Sequence, residues 1–122
     1  MKLLSVTIPC YNSEAYMSKC IDSLLIGGDD REIIIVDDGS TDRTAEIADR
    51  YQVINPNIVR VIHKANGGHG SAVNAGIEAA TGLFFKVVDS DDWVKDTALM
   101  KIIDFLRTNA GSRPQLDMLV SN

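Results

Sequence analysis

The sequence predicts a single α/β domain, 1–122, with a mostly parallel sheet carrying helices on both faces. Strand-like and helix-like segments alternate along its 122 residues, and parallel neighbours need helical crossovers. The strand-like runs are short and nearly all apolar, as in "EIIIV" (Glu32 to Val36), which suits strands covered on both faces. The unusual polar segments directly follow strands, and ligands of such sheets bind outside the carboxyl ends of the strands.

The elements follow in order. Leu3 to Ile8 is a first strand, closed by Pro9. Ser13 can cap a helix whose Tyr16, Met17, Cys20, Ile21, Leu24 and Leu25 recur at three- and four-residue spacing, and Gly27-Gly28 stops it. After the strand Glu32 to Val36, "STDRTAEIADRY" reads as a helix capped by Ser40 or Thr41, with Asp42 in its first turn, where the helix dipole favours negative charge. Ile58 to Ile62 is a third strand. After "HKANGGHG", Ser71 can cap a helix from Ala72 to Ala80, with Gly82 past its end. Leu83 to Val88 is the fourth strand. Asp96 then caps a helix with Leu99, Ile102, Ile103 and Leu106 as its inner stripe and Gly111 near its stop. Leu116 to Val120 is the fifth strand.

Composition excludes several classes. A net charge of −5 argues against nucleic acid as partner, since phosphate-backbone binders are basic. Cys10 and Cys20 make no disulfide framework, and His63 and His69 lack metal-site spacing, so two buried thiols in a reducing cytosol are expected. No run reaches the ~18 apolar residues of a membrane span. "MKLLSVTIPC" has too short an apolar run, and no small-residue cleavage site, for a signal peptide. The domain is expected in the cytoplasm, at the inner face of the membrane in a longer protein.

Three segments carry chemistry. In "VDDGSTD" a capped turn explains Gly39, Ser40 and Thr41 but leaves Asp37 and Asp38 without a need. Either carboxylate can accept hydrogen bonds from a base or a ribose. "NGGHGSAVNAG" is a glycine-rich approach to a helix N-terminus, where backbone N–H groups meet anions or the glycines merely permit a tight turn. His63, Lys64 and His69 are positive partners for such an anion. The sharpest segment is "VVDSDDW". Capping by Asp91 or Asp92 would use one or two carboxylates. The D-x-D spacing after a buried strand suits a hard divalent cation, Mg²⁺ or Mn²⁺, that carries a phosphorylated ligand. An EF-hand is a poor match, because Trp93 and Val94 stand where an oxygen ligand and a glycine belong.

Taken together, "VTIPCYN", "IIIVDDGSTD", "NGGHGSAVNAGIEAATG" and "FKVVDSDDW" resemble the N-terminal, nucleotide-binding half of inverting glycosyltransferases with the GT-A fold. The likeness is to family 2 enzymes of the bacterial surface-polysaccharide type. It implies a Rossmann-like sheet and a UDP-sugar donor. It also implies nucleoside contacts from Pro9, Tyr11 and Asn12, a uracil-reading carboxylate at Asp37 or Asp38, and a loop beside the nucleotide at Asn66 and Gly67. Asp89 would meet the ribose or sugar. Asp91, with Asp89 as a second candidate ligand, would hold Mn²⁺ or Mg²⁺ on the diphosphate. The acceptor, a glycan or polysaccharide, would attack the anomeric carbon with inversion, and a carboxylate would serve as general base. In the resembling enzymes that base lies in the following half, so it is expected beyond Asn122, and the chain is expected to be a donor-binding part truncated before the acceptor half. Pairing through the fifth strand's edge makes a homodimer a further expectation.

The rival readings are a haloacid-dehalogenase-like phosphatase, a sugar-nucleotide pyrophosphorylase and a nucleotide-sugar-binding module without turnover. The first calls for Thr or Val where Trp93 stands, and the second for a glycine- and arginine-rich opening loop that is absent here.

Overall fold

The computed structural model describes residues 2–25, 30–91, 105 and 117–120. Asp92 and Trp93, the expected fourth helix with Asp96, Leu99, Ile102, Ile103 and Leu106, and Gly27, Gly28, Gly111 and Leu116 lie outside them. The described elements are β1 (Leu4–Cys10), α1 (Met17–Leu24), β2 (Arg31–Asp38), α2 (Thr44–Ile54), β3 (Val59–Lys64), α3 (His69–Ala79), β4 (Phe84–Val87) and β5 (Asp117–Val120).

They form a five-stranded sheet in the order β3-β2-β1-β4-β5, and every neighbouring pair is parallel. The chain runs outward from β1 through β2 to β3, then returns to the other side of β1 as β4. That reversal places the switch of strand order between β1 and β4, where open α/β sheets bind ligands.

Both faces are covered. Leu4, Val6 and Ile8 of β1 and Ile33 and Ile35 of β2 share one core with Met17, Cys20, Ile21 and Leu24 of α1 and Ala48 of α2. Ile34 and Val36 face the other way, onto Ala72, Ala75 and Ala79 of α3. All of β2 is buried, and each of its fully covered aliphatic side chains contributes roughly 1.5–3 kcal/mol over exposure. On the α3 side the helix comes close: a Cβ at Gly76 would stand inside van der Waals contact with the buried Thr7 side chain. Among the described residues, no helix is long and apolar enough to cross a membrane.

The alternation and both-faces pattern match the expected fold class, while the caps differ. No side chain caps α1, α2 or α3. Ser13, expected as a cap, gives its carbonyl to the first N–H groups of α1, while its hydroxyl meets Ser90 Oγ at 2.8 Å. Ser40 and Thr41 bond to Asn12 instead. Asp42, just before α2, accepts the Thr44 N–H at 2.8 Å. Ser71 lies within α3, which begins at His69. Tyr16, expected in the inner stripe of α1, is exposed. For Ser13, Ser40 and Thr41 a partner from a neighbouring loop replaces the local one.

Candidate functional site

A cleft of about 450 Å³ opens at the carboxyl ends of β1, β2 and β4. Pro9, Tyr11, Asp38, Asn66, Asp89 and Asp91 all line it, whereas Asn12, Asp37 and Gly67 do not. The sheet thus gathers segments up to 82 residues apart, Pro9 and Asp91 being the extremes. Cys10, Gly68 and Ser90, which belong to the expected loops, line it too, as do Ser13, Tyr16 and Ala72, which are not expected as site residues. For Tyr16 the helical period of α1 pointed to the core. The available signal was its place beside the "PCYN" turn, before the helix proper begins.

The rim after β1 and β2 is held by reciprocal bonds. The Asn12 N–H donates to Ser40 Oγ at 3.0 Å, and Asn12 Oδ1 accepts from the Thr41 N–H at 2.8 Å. The Ser13 N–H donates to Thr44 Oγ1 at 2.7 Å. The Glu14 N–H donates to Asp42 Oδ2, and Glu14 Oε2 accepts the Arg43 N–H in return. Asn12 adopts φ 48° to make this turn, a left-handed conformation that Asn tolerates better than most residues. Gly39, at φ 71°, lets the β2 loop pass the Asn66 backbone: a Cβ there would lie 2.6 Å from the Asn66 nitrogen.

The two adjacent carboxylates separate. Asp37 accepts the Ser40 N–H at 3.0 Å and pairs with His63 Nδ1 at 2.9 Å, away from the cleft. Asp38 organises the glycine loop. Its Oδ1 accepts from Lys64 Nζ and from the Gly67 N–H, both at 2.9 Å. Its Oδ2 accepts the Gly68 N–H, also at 2.9 Å. A carboxylate has about four acceptor sites, so Oδ2 keeps one for a donor in the cleft. Burial acts to raise the Asp38 pKa, but hydrogen bonds from the Lys64 ammonium and the Gly67 and Gly68 N–H groups outweigh it and hold the carboxyl below its ordinary range. Lys64 and His63, expected beside an anion, are therefore spent on Asp38 and on the Asp37–Asp49 pair. His69 remains at the cleft, its Nε2 3.2 Å from Asp89 Oδ1.

Across the cleft the D-x-D segment leaves the end of β4 and turns at Ser90 and Asp91. Ser90 turns inward and is buried, while Asp89 and Asp91 are exposed. Ser13–Ser90 and the Cys20 Sγ contact to the Asp89 carbonyl at 3.5 Å anchor the segment from below. Cys10 is a floor residue rather than a reactive one. Burial, then Cys20 and Asp37, push its thiol up to about 12, so it stays protonated near neutrality.

The chemistry of the Asp89–Asp91 edge fits a hard divalent cation. Its donors are carboxylate oxygens only, and Asp91 has no hydrogen-bond or ion-pair partner among the described residues. No group of three or more His, Cys, Asp and Glu among those residues encloses an ion by itself. A cation here would complete its shell with water and with oxygens of a bound ligand.

Known proteins share this framework. The chain matches glycosyl transferase family 2 over residues 5–113. The Bacillus subtilis (strain 168) protein named uncharacterized glycosyltransferase EpsJ is 43% identical over 118 residues, covering 96% of this chain and 33% of that protein. The poly(ribitol-phosphate) beta-glucosyltransferase of Bacillus spizizenii (strain ATCC 23059 / NRRL B-14472 / W23) is 39% identical over 110 residues, 87% of this chain and 17% of that protein. The crystal structure of S. aureus TarS 1-349 in complex with UDP-GlcNAc superposes with a TM-score of 0.77 at 33% identity, over 89% of this chain and 32% of that one. The chain spans about a third or less of the length of these relatives, and it shares with TarS the Rossmann-like α/β arrangement of the GT-A fold. With its motif loops gathered at the switch point of that sheet and the match extending over residues 5–113, the chain belongs to glycosyl transferase family 2.

Proposed function

We propose that this chain is the donor-binding part of an inverting, metal-assisted glycosyltransferase that takes a UDP-sugar and serves a glycan or polysaccharide acceptor. The observation that carries this reading is the pairing, across one cleft, of Asp38 with a free acceptor site and the exposed carboxylates Asp89 and Asp91. The complex of the 33%-identical TarS with UDP-GlcNAc supports a uridine nucleotide as ligand.

In this reading Pro9, Tyr11 and the Asn12 turn form the nucleoside wall, and Asp38 accepts the base N–H, in preference to Asp37. Asn66 and Gly67 shape the loop beside the nucleotide. Asp89 meets the ribose or sugar, and Asp91, with Asp89 beside it, holds Mn²⁺ or Mg²⁺. That cation supplies charge neutralisation for the departing diphosphate. The chain's own part is to orient the donor and exclude alternatives at the base. Deprotonation of the acceptor hydroxyl is assigned to the length that the relatives have beyond the matched third. Two buried cysteines that the sequence does not arrange as a disulfide framework, Cys10 and Cys20, support a reducing, cytoplasmic setting for the domain, at the inner membrane face in the longer protein. A homodimer through the β5 edge belongs to the same proposal, and sedimentation equilibrium tests it.

The test is calorimetric titration with UDP, GDP and ADP, each with Mn²⁺, with Mg²⁺ and with EDTA. UDP is expected to bind most tightly, and only with metal. Binding that is indifferent to EDTA, or tighter for GDP, would overturn the assignment.

A further inference from the structure

His63 stands at the end of β3, off the cleft, and bridges two carboxylates. Its Nδ1 lies 2.9 Å from Asp37 Oδ2 on β2, and its Nε2 lies 2.7 Å from Asp49 Oδ1 on α2. Asp37 is nearly inaccessible, with 6% of its side chain exposed, while His63 is 45% exposed. From Asp37 the contacts continue toward the cleft. Asp37 Oδ1 accepts the Ser40 N–H, Ser40 Oγ accepts the Asn12 N–H, and Asn12 holds its φ of 48° next to Tyr11 on the cleft wall.

We propose that His63 is a positioning residue for the nucleoside wall, acting through Asp37 and Ser40 on the Asn12 turn, and that it makes nucleotide affinity depend on pH near neutrality. The affinity half rests on the nucleotide-binding reading above. Ionised carboxylates only accept hydrogen bonds, so an imidazolium satisfies both, whereas the neutral ring has one N–H for two acceptors. Losing the proton therefore opens one end of the bridge between β2 and α2 and leaves the Asp37 charge less balanced.

The surroundings favour the protonated form. The groups facing His63 are Asp37 and Asp49. Beyond Asp37, on β1, lies the Cys10 thiol, neutral because burial raises it, and Lys64 of β3 turns to Asp38 instead. The hydrogen bond to Asp37, then that to Asp49, raise the His63 pKa above its ordinary 6.5. A raised folded-state pKa stabilises the fold fully below about pH 6.5, and that contribution is lost as pH rises through the folded value.

The experiment has two arms. In the labelled protein without nucleotide, NMR follows the His63 ring and the Ser40 and Asn12 amides against pH. Calorimetry then measures UDP with Mn²⁺ from about pH 6 to 8.5 for wild type, His63→Gln and Asp49→Asn. The Ser40 and Asn12 amides are expected to titrate with the His63 midpoint. Wild-type affinity should fall by about three- to tenfold over this range relative to His63→Gln, a comparison that cancels titration of the nucleotide itself. Asp49→Asn should lower the His63 midpoint and move the affinity profile with it. Amides that ignore the His63 titration, or parallel pH profiles for wild type and His63→Gln, would overturn the proposal. Absence of UDP binding at every pH would overturn the nucleotide reading and the affinity half with it, and the amide titrations alone would then decide the positioning half.

Discussion

On the rim of the cleft after β1 and β2, backbone N–H groups and side chains are already committed to one another. Asn12, Ser13 and Glu14 exchange bonds with Ser40, Thr41, Asp42 and Thr44, and Asp38 holds three N–H donors. On the rim after β4, Asp89 and Asp91 are exposed, and of the described side chains only His69 meets one of their carboxylates. The first rim has a shape before any ligand arrives. The second holds unbalanced negative charge, which becomes favourable only when a cation and a ligand arrive together. Preorganisation suits discrimination between bases, and exposed carboxylates suit an ion that must enter and leave.

The contrast is broken most severely at Asp38. Asp38→Asn removes the charge that holds Lys64, Gly67 and Gly68 and turns an N–H₂ toward their donors. It should cost roughly 2–3 kcal/mol of stability, with UDP affinity falling about 10- to 100-fold. Urea unfolding and calorimetry read the two effects, and a variant as stable as wild type would mean this rim is not preorganised by Asp38.

Gly39→Ala tests the same rim through its backbone. A Cβ at φ 71° that also meets the Asn66 nitrogen should destabilise by about 1–3 kcal/mol. Thermal unfolding checks this, and an unchanged midpoint would show that the loop relaxes freely.

Asp91→Asn should behave in the opposite way. Stability should stay within about 0.5 kcal/mol, because Asp91 is exposed, while Mn²⁺-dependent UDP affinity falls by roughly tenfold or more. A large loss of stability with no change in metal dependence would erase the distinction between the rims.

The smallest effect is expected at the pair that joins them. His69 and Asp89 are both more than half exposed, 67% and 54%, and even fully charged contacts at such exposure contribute only about 0–1 kcal/mol. His69→Gln should change UDP affinity by less than about threefold, as calorimetry would show. A much larger loss would make His69 part of the donor site in its own right.

Much of this was legible in the sequence, because it depends on local periodicity. The apolar runs of β1 and β2, the stripe Met17–Cys20–Ile21–Leu24 and the polar segments after each strand follow from where side chains point in strands and helices. The alternating order then restricts the sheet to parallel pairing and puts Tyr11, Asp38 and Asp89 on one edge. What only the tertiary structure decided is the competition for hydrogen-bond partners. Ser13, Ser40, Thr41 and Ser71 are good caps locally, yet the first three answer to groups 28 to 77 residues away, which the order β3-β2-β1-β4-β5 brings within reach. The same holds for the carboxylate pair. Asp37 and Asp38 are chemically equivalent in sequence, and strand alternation sends neighbours to opposite faces, so one meets His63 and the other the glycine loop. Which face holds the cleft is set by where α3 packs, and no stretch of local sequence contains that information.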